Sequence, residues 1–205
     1  AYAVAAEPGD RVLFEIERGA AALFGVRARG VHVNGFVRAG DGGLSLWIAR
    51  RSATASVAPG ALDNMVAGGL PAGLTIPENL AKECAEEAAI PAELAALARP
   101  VGEIAYTMAR EGGLRRDTLF CFDLALPAAF RPRNMDGEVV EFSLLPALEV
   151  AKIVEESDAF KFNCNLVIIH FLLRHGLIPP DHPEHPALSA RLLGAPPSHA
   201  KETPP

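Results

Sequence analysis

Cysteine is scarce in this sequence of 205 residues: Cys84, Cys121 and Cys164 are too few and too scattered for a disulfide framework, and no Cys-x-x-Cys or Cys/His spacing suits a zinc site. A reducing compartment is the expectation. Long apolar runs are missing as well, since none reaches about 18 residues, and residues 1–10 lack the basic start and apolar stretch of a secretory signal. A soluble, cytoplasmic protein with no membrane partner is therefore expected. Basic side chains are outnumbered, 19 against 25 acidic ones, and no lysine- or arginine-rich run could track a nucleic-acid backbone. What remains is a chain half apolar and 21% charged, long enough for one domain with a substantial core.

β-branched and aromatic enrichment marks strands over residues 11–16, 31–37, 44–49, 101–107, 118–126 and 139–145, separated by turn-forming runs such as "AGDGG" and "NMDGE". Helical spacing covers residues 78–88, 146–156 and 163–175, the last stopping at Gly176. This order predicts an α+β fold, a mixed sheet with helices on its faces. Residues 1–178 form the expected domain. From 179 to 205 the composition changes, with eight prolines among 27 residues, and a loosely attached tail is expected there. His182, His185 and His199 lie in it without a spacing that suits a metal.

One segment is out of character with its small, apolar surroundings. Thr75-Ile76-Pro77-Glu78 reads as a capping box that starts a helix. In that helix Glu83, Glu86 and Glu87 fall within an arc of about 100°, while Leu80, Ala81, Cys84, Ala85 and Ala88 lie on the other side. Like charges three and four residues apart repel, and no arginine flanks them. A solvated acidic face is one explanation. A hard divalent ion such as Mg²⁺ among the carboxylates is the other. The run "AGGLPAG" just before the helix favours the second, because a glycine-rich turn lets backbone amides approach a phosphate.

Residues 68–90, "GGLPAGLTIPENLAKECAEEAAI", resemble the Nudix box, G-x5-E-x7-R-E-U-x-E-E-x-G-U with U aliphatic. Gly68 falls on the first glycine, Glu83 on the glutamate after the arginine, Glu86 and Glu87 on the paired glutamates, and Ile90 on the last aliphatic position. Leu74, Lys82 and Ala89 depart from the pattern, standing in for its first glutamate, its arginine and its final glycine. Stretches such as "DNMVAGG", "DTLFCFDLALP" and "FKFNCNLVIIHFLLRHGLI" are similar to the Nudix branch related to thiamine pyrophosphokinase, over about residues 10–180. The resemblance implies a sheet sandwiched between helices and hydrolysis of a small-molecule diphosphate that depends on Mg²⁺ or Mn²⁺. It further implies oxidised thiamine diphosphate as substrate, cleaved to the monophosphate and phosphate. Another diphosphate, such as a nucleoside diphosphate derivative, and a non-catalytic binding module stay open, as does a homodimer.

Glu83, Glu86 and Glu87 are the expected metal ligands. Glu83 is the first choice for the base that takes a proton from water, and Glu138, at the start of a strand, is the second. Arg51 at the end of "LSLWIA", with Gly68, Gly69 and Lys82, is expected to meet the substrate phosphates. His32 and Asn34 share one face of a strand and are expected to recognise the ring; Trp47, Phe36, Phe160 and Phe162 are aromatic candidates for stacking on it.

Overall fold

A computed structural model of the protein describes residues 1–5, 11–40, 42–110 and 112–194. Among the described residues, nine strands lie in two sheets: β1 (Tyr2–Val4), β2 (Phe14–Ile16), β3 (Arg27–Arg38), β4 (Leu44–Arg51), β5 (Leu62–Asn64), β6 (Val66–Gly69), β7 (Arg99–Arg110), β8 (Gly113–Ala125) and β9 (Val139–Pro146). The helices are α1 (Ile76–Ala88), α2 (Ala92–Ala95), α3 (Ala147–Glu156), α4 (Phe162–Arg174) and α5 (His185–Leu192). β1 and β2 pair as a small hairpin, and the other seven strands form a mixed sheet with a path β5-β4-β3-β8-β7, β6 pairing with β3 and β9 with β4. β3 and β8 are its parallel pair. The expected α+β class, a mixed sheet between helices, is what the protein adopts.

The two central strands are covered on both sides, and their period-2 alternation divides the core. Val31, Val33 and Val37 of β3, with Phe120, Phe122 and Leu124 of β8, pack with Leu80, Cys84 and Ala88 of α1. On the other face Phe36 of β3 and Leu46 and Ile48 of β4 meet Ile168, Phe171 and Leu172 of α4 and Val150 of α3. Fully burying a side chain such as Phe171 contributes about 1.5–3 kcal/mol. That second face also holds polar groups. Asn34 donates to Asp123 at 3.1 Å, and Arg174 of α4 clamps the same carboxylate at 2.6 and 2.9 Å. Burial pushes the Asp123 carboxyl up, but the Arg174 guanidinium more than offsets it and holds it below the usual range.

α1 begins as its sequence predicts: the Glu78 N–H donates to Thr75 Oγ1 at 3.4 Å, and Thr75 N–H donates to Glu78 Oε2 at 2.8 Å. It ends on Ala89, which adopts the left-handed conformation (φ 51°, ψ 37°) where the box pattern has glycine. A Cβ is strained there, so Ala89→Gly is expected to stabilise the protein by about 0.5–1 kcal/mol, the larger entropy of unfolded glycine offsetting part of the gain. Thermal unfolding would show this as a rise of about 1–4 °C.

Two expectations about organisation change. The segment after Pro179 is not wholly loose: α5 forms over His185–Leu192, and Leu192 packs with Ile104, Leu119, Cys121 and Val167. His182 and His185 make local hydrogen bonds, to Glu184 N–H and Ser189 Oγ, while residues 195–205, His199 included, lie outside the described residues. Gly68 and Gly69 do not form a turn either. They sit in β6, in register with Val31 and Gly30 of β3.

Candidate active site

α1 packs on β6, and one glycine makes the fit. A Cβ on Gly68 would lie 2.1 Å from Glu83 Cδ and 2.5 Å from Glu83 Oε2, so the carboxylate occupies the space a side chain would need. One turn on, Glu87 Oε2 accepts the Ala67 N–H at 2.8 Å. The acidic helix is therefore not split into an acidic outer face and an apolar inner one. Glu83 and Glu87 are buried with Leu80, Cys84 and Ala88, whereas Ala81, Ala85 and Glu86 are exposed. The helical spacing holds, but hydrophobicity alone predicts the wrong inward face, because these carboxylates turn toward the sheet.

Lys82 also corrects the expectation of uncompensated repulsion. Its Nζ lies 2.6 Å from Glu86 Oε2 and 3.3 Å from Glu83 Oε1. Glu87 has no such partner among the described residues. Burial chiefly pushes its carboxyl up to about 8; the Ala67 N–H pulls it down in part, and Asp63, Glu83 and Glu138 push further up. Glu83 is raised too, first by burial, with Lys82 opposing. Glu138 is exposed, its backbone tied to Asp136 Oδ1 (2.9 Å) and to the Ser52 N–H (2.8 Å), and its charge acts on both buried glutamates. A buried acid that accepts one hydrogen bond and stands among other acids is the donor set a hard divalent cation would satisfy. Glu83, Glu86 and Glu87 have the hard oxygen chemistry for that group, but their carboxylates do not gather within 4.8 Å of one another as they stand; Glu86 would have to give up its contact to Lys82 and turn toward the other two.

A small open cleft of about 50 Å³ lies beside this cluster, lined in part by Ala67 and Gly68, which touch Glu87 and Glu83, and by Gly69. Its polar lining comes from separate elements: Arg29 and His32 of β3, Arg115 and Asp117 of β8, Asn163 of α4, and Lys161 just before it. Asp117 accepts Arg115 Nε at 2.6 Å and the Tyr106 hydroxyl, so it leaves little negative charge free. Gly69 is glycine for a close approach: a Cβ would lie 2.6 Å from the Tyr2 hydroxyl. None of Lys161, Asn163, Arg115 or Asp117 was singled out from the sequence. Each is a lone polar residue in an apolar or mixed run, and only the β3–β8 pairing and the start of α4 unite them.

The expected substrate residues divide. Gly68, Gly69 and His32 line the cleft. His32 donates its Nδ1–H to Asn64 Oδ1 at 2.9 Å, and burial, aided by Lys161, takes its ring down to about 4, which keeps it neutral. Asn34 is not at the cleft; it is 1% exposed and joins Asn64 to Asp123 inside the core. Arg51 is likewise taken, pairing with Asp63 at 2.9 Å and donating to the Val57 carbonyl at 2.9 Å. A guanidinium held on two sides shapes the loop instead of reaching for phosphate. Phe36 and Phe160 belong to the core on the α4 side and Trp47 to the α1 side, which leaves Phe162 exposed.

Among the described residues, His32, Asp63 and Cys164 bring potential ligand atoms within 4.8 Å of one another. A cation does not suit them. Cys164 Sγ donates to Asp63 Oδ1 at 2.7 Å, Asp63 already serves Arg51 and Lys161, and burial keeps the thiol protonated. It is a hydrogen-bonded junction between β5, β3 and α4.

A Nudix-type acidic helix laid on a mixed sheet, beside a cationic cleft, defines the class. Residues 28–166, more than half of the chain, match the NUDIX domain, and the chain belongs to that family. It is 48% identical over 181 residues to Nudix hydrolase 20, chloroplastic, and 50% identical over 179 residues to Nudix hydrolase 24, chloroplastic, both of Arabidopsis thaliana. These alignments cover 88% and 87% of this chain but 48% and 49% of the relatives, so the chain spans about half their length. Among solved structures it is similar to a Deinococcus radiodurans protein, with a TM-score of 0.57 and 26% identity, covering 81% of this chain and 95% of that one. The MutT protein of Methanosarcina mazei, at 16% identity and a TM-score of 0.51 over 71% of this chain and 92% of its own, shares the fold.

Proposed function

We propose that the protein hydrolyses the diphosphate linkage of a small organic diphosphate with the help of Mg²⁺ or Mn²⁺, and that oxidised thiamine diphosphate is its preferred substrate. The observation that carries the hydrolase reading is the buried Glu83–Glu87 pair, one carboxylate seated on Gly68, whose strand also lines a neighbouring cleft that holds Arg29, Arg115 and Lys161. A divalent ion held by Glu83, Glu86 and Glu87 would supply charge neutralisation for the diphosphate and a more acidic water. The chain's own residues do the rest. Lys161, Arg29 and Arg115 bind and orient the phosphates, and Glu83, or Glu138 from the facing loop, accepts the proton of the attacking water. The products are the monophosphate and inorganic phosphate.

Support for the thiamine branch comes from the resemblance of the sequence, and the charge of the cleft agrees with its oxo derivative. Oxidation of the thiazolium ring to a thiazolone removes a positive charge that Arg29, Arg115 and Lys161 would repel, and Asp117 is already neutralised by Arg115. The same arginines favour a second reading, a nucleoside diphosphate derivative, which also carries no cation on its ring. Buried, unpaired Cys84, Cys121 and Cys164 suit a reducing compartment, the cytoplasm included.

Phosphate release from thiamine diphosphate, its oxo and oxy derivatives and a nucleoside diphosphate sugar, each with Mg²⁺, Mn²⁺ or EDTA, tests this. The oxidised thiamine compounds should show kcat/KM at least about tenfold above the rest, in line with a difference of about 1.4 kcal/mol, and EDTA should abolish release. Turnover that ignores EDTA removes the metal from the mechanism. Binding of these compounds without turnover establishes a binding module.

A further inference from the structure

Next in chain to, or in contact with, residues that line the cleft is an aromatic pair, Phe162 and Tyr106, of which Phe162 is the one stacking candidate from the sequence that the core does not take up. Phe162 opens α4 between Lys161 and Asn163, both of which line the cleft. It is 50% exposed, although Phe171, Ile168 and Leu172 on the same helix are buried in the core. Tyr106 of β7 meets it with ring centroids 5.6 Å apart and planes at 67°. That contact uses at most one face of Phe162, and the remaining exposure is apolar surface turned to solvent. The Tyr106 hydroxyl donates to Asp117, itself a cleft residue fixed by Arg115, so Tyr106 is anchored beside the cleft and Phe162 packs on it.

Resting on the hydrolase reading above, we propose that Phe162, backed by Tyr106, is a specificity-determining shelf on which the planar ring of the substrate's organic group stacks. The cationic side chains orient the diphosphate, and a ring joined to it by a short linker extends to the rim. A planar, uncharged heteroaromatic ring is the class this shelf takes, since stacking on an aromatic face is tolerant of ring identity and the nearby arginines disfavour a cation.

Phe162→Ala, Phe162→Leu and Phe162→Tyr test it, compared with the unaltered chain for KM and kcat on oxothiamine diphosphate, whose thiazolone ring carries no charge, and for inhibition by methylenediphosphonate, which has no ring. Alanine and leucine should raise KM about tenfold, the loss of one stacking contact, with kcat and the inhibition constant unchanged, and tyrosine should restore KM. KM unmoved by alanine overturns the shelf, and so does a parallel rise of KM and the inhibition constant. If the unaltered chain turns over no diphosphate, the hydrolase reading fails, and calorimetric titration with oxothiamine monophosphate still reads the shelf: about tenfold weaker binding by the alanine variant supports it, equal binding overturns it.

Discussion

Gly68→Ala is expected to cost about 100-fold or more in turnover and about 1–3 kcal/mol in stability. The added methyl would lie 2.1 Å from Glu83 Cδ, with Cγ and Oε2 both at 2.5 Å, so no single bond rotation at the carboxylate clears it. Glu83 must leave its place, and the position of that carboxylate is what the site is built on. Gly69→Ala should be milder. Its obstacle is the Tyr2 hydroxyl at 2.6 Å, at the end of a side chain on the small β1–β2 hairpin, which can move. A double variant isolates the cause. Gly68→Ala with Glu83→Ala removes the clash, so melting temperature should recover toward that of Glu83→Ala alone while turnover stays lost. If Gly68→Ala by itself keeps wild-type kcat, Glu83 is not the positioned acid.

Period length and facing partners decide what is legible in the sequence. The central strands and α1, α3 and α4 could be read because each repeats an apolar pattern long enough to show its period, as Val31, Val33 and Val37 do in β3. β5 and β6 could not: three and four residues, "LDN" and "VAGG", carry no alternation, and their strand character comes from pairing with β4 and β3. The acids of α1 were visible as a cluster, but not their direction, since only a facing glycine makes room for a buried carboxylate. Arg51 was placed at the phosphates because a strand-end arginine in isolation has no partner; Asp63, twelve residues on, supplies one. The polar cleft was illegible for the same reason, its members being far apart in the chain and adjacent only in the fold.

Glu87→Gln should separate turnover from folding. In the metal-free protein burial raises the Glu87 carboxyl to about 8 from an ordinary 4.5, so the folded state holds the proton more tightly than the unfolded state. The sign follows from linkage: the contribution of this group to stability is full below about 4.5 and is lost as pH rises through about 8, on the order of a few kcal/mol across the window. Glutamine is neutral at every pH and can still accept the Ala67 N–H. Metal-free Glu87→Gln should therefore match the wild type near pH 5 and exceed it in denaturant stability near pH 9. Added Mg²⁺ or Mn²⁺ should reverse that order by raising the melting temperature of the wild type and leaving the variant nearly unmoved, because a ligand that binds only the folded state stabilises it by mass action. Turnover should fall about 100- to 1,000-fold, comparable to the removal of a preorganised charge-stabilising group. A buried acid that destabilises the empty fold and is needed for turnover is kept for its ligand; a variant that keeps both turnover and the metal-induced rise in melting temperature would make Glu87 a structural residue, and would leave Glu83 and Glu86 to hold the ion without it.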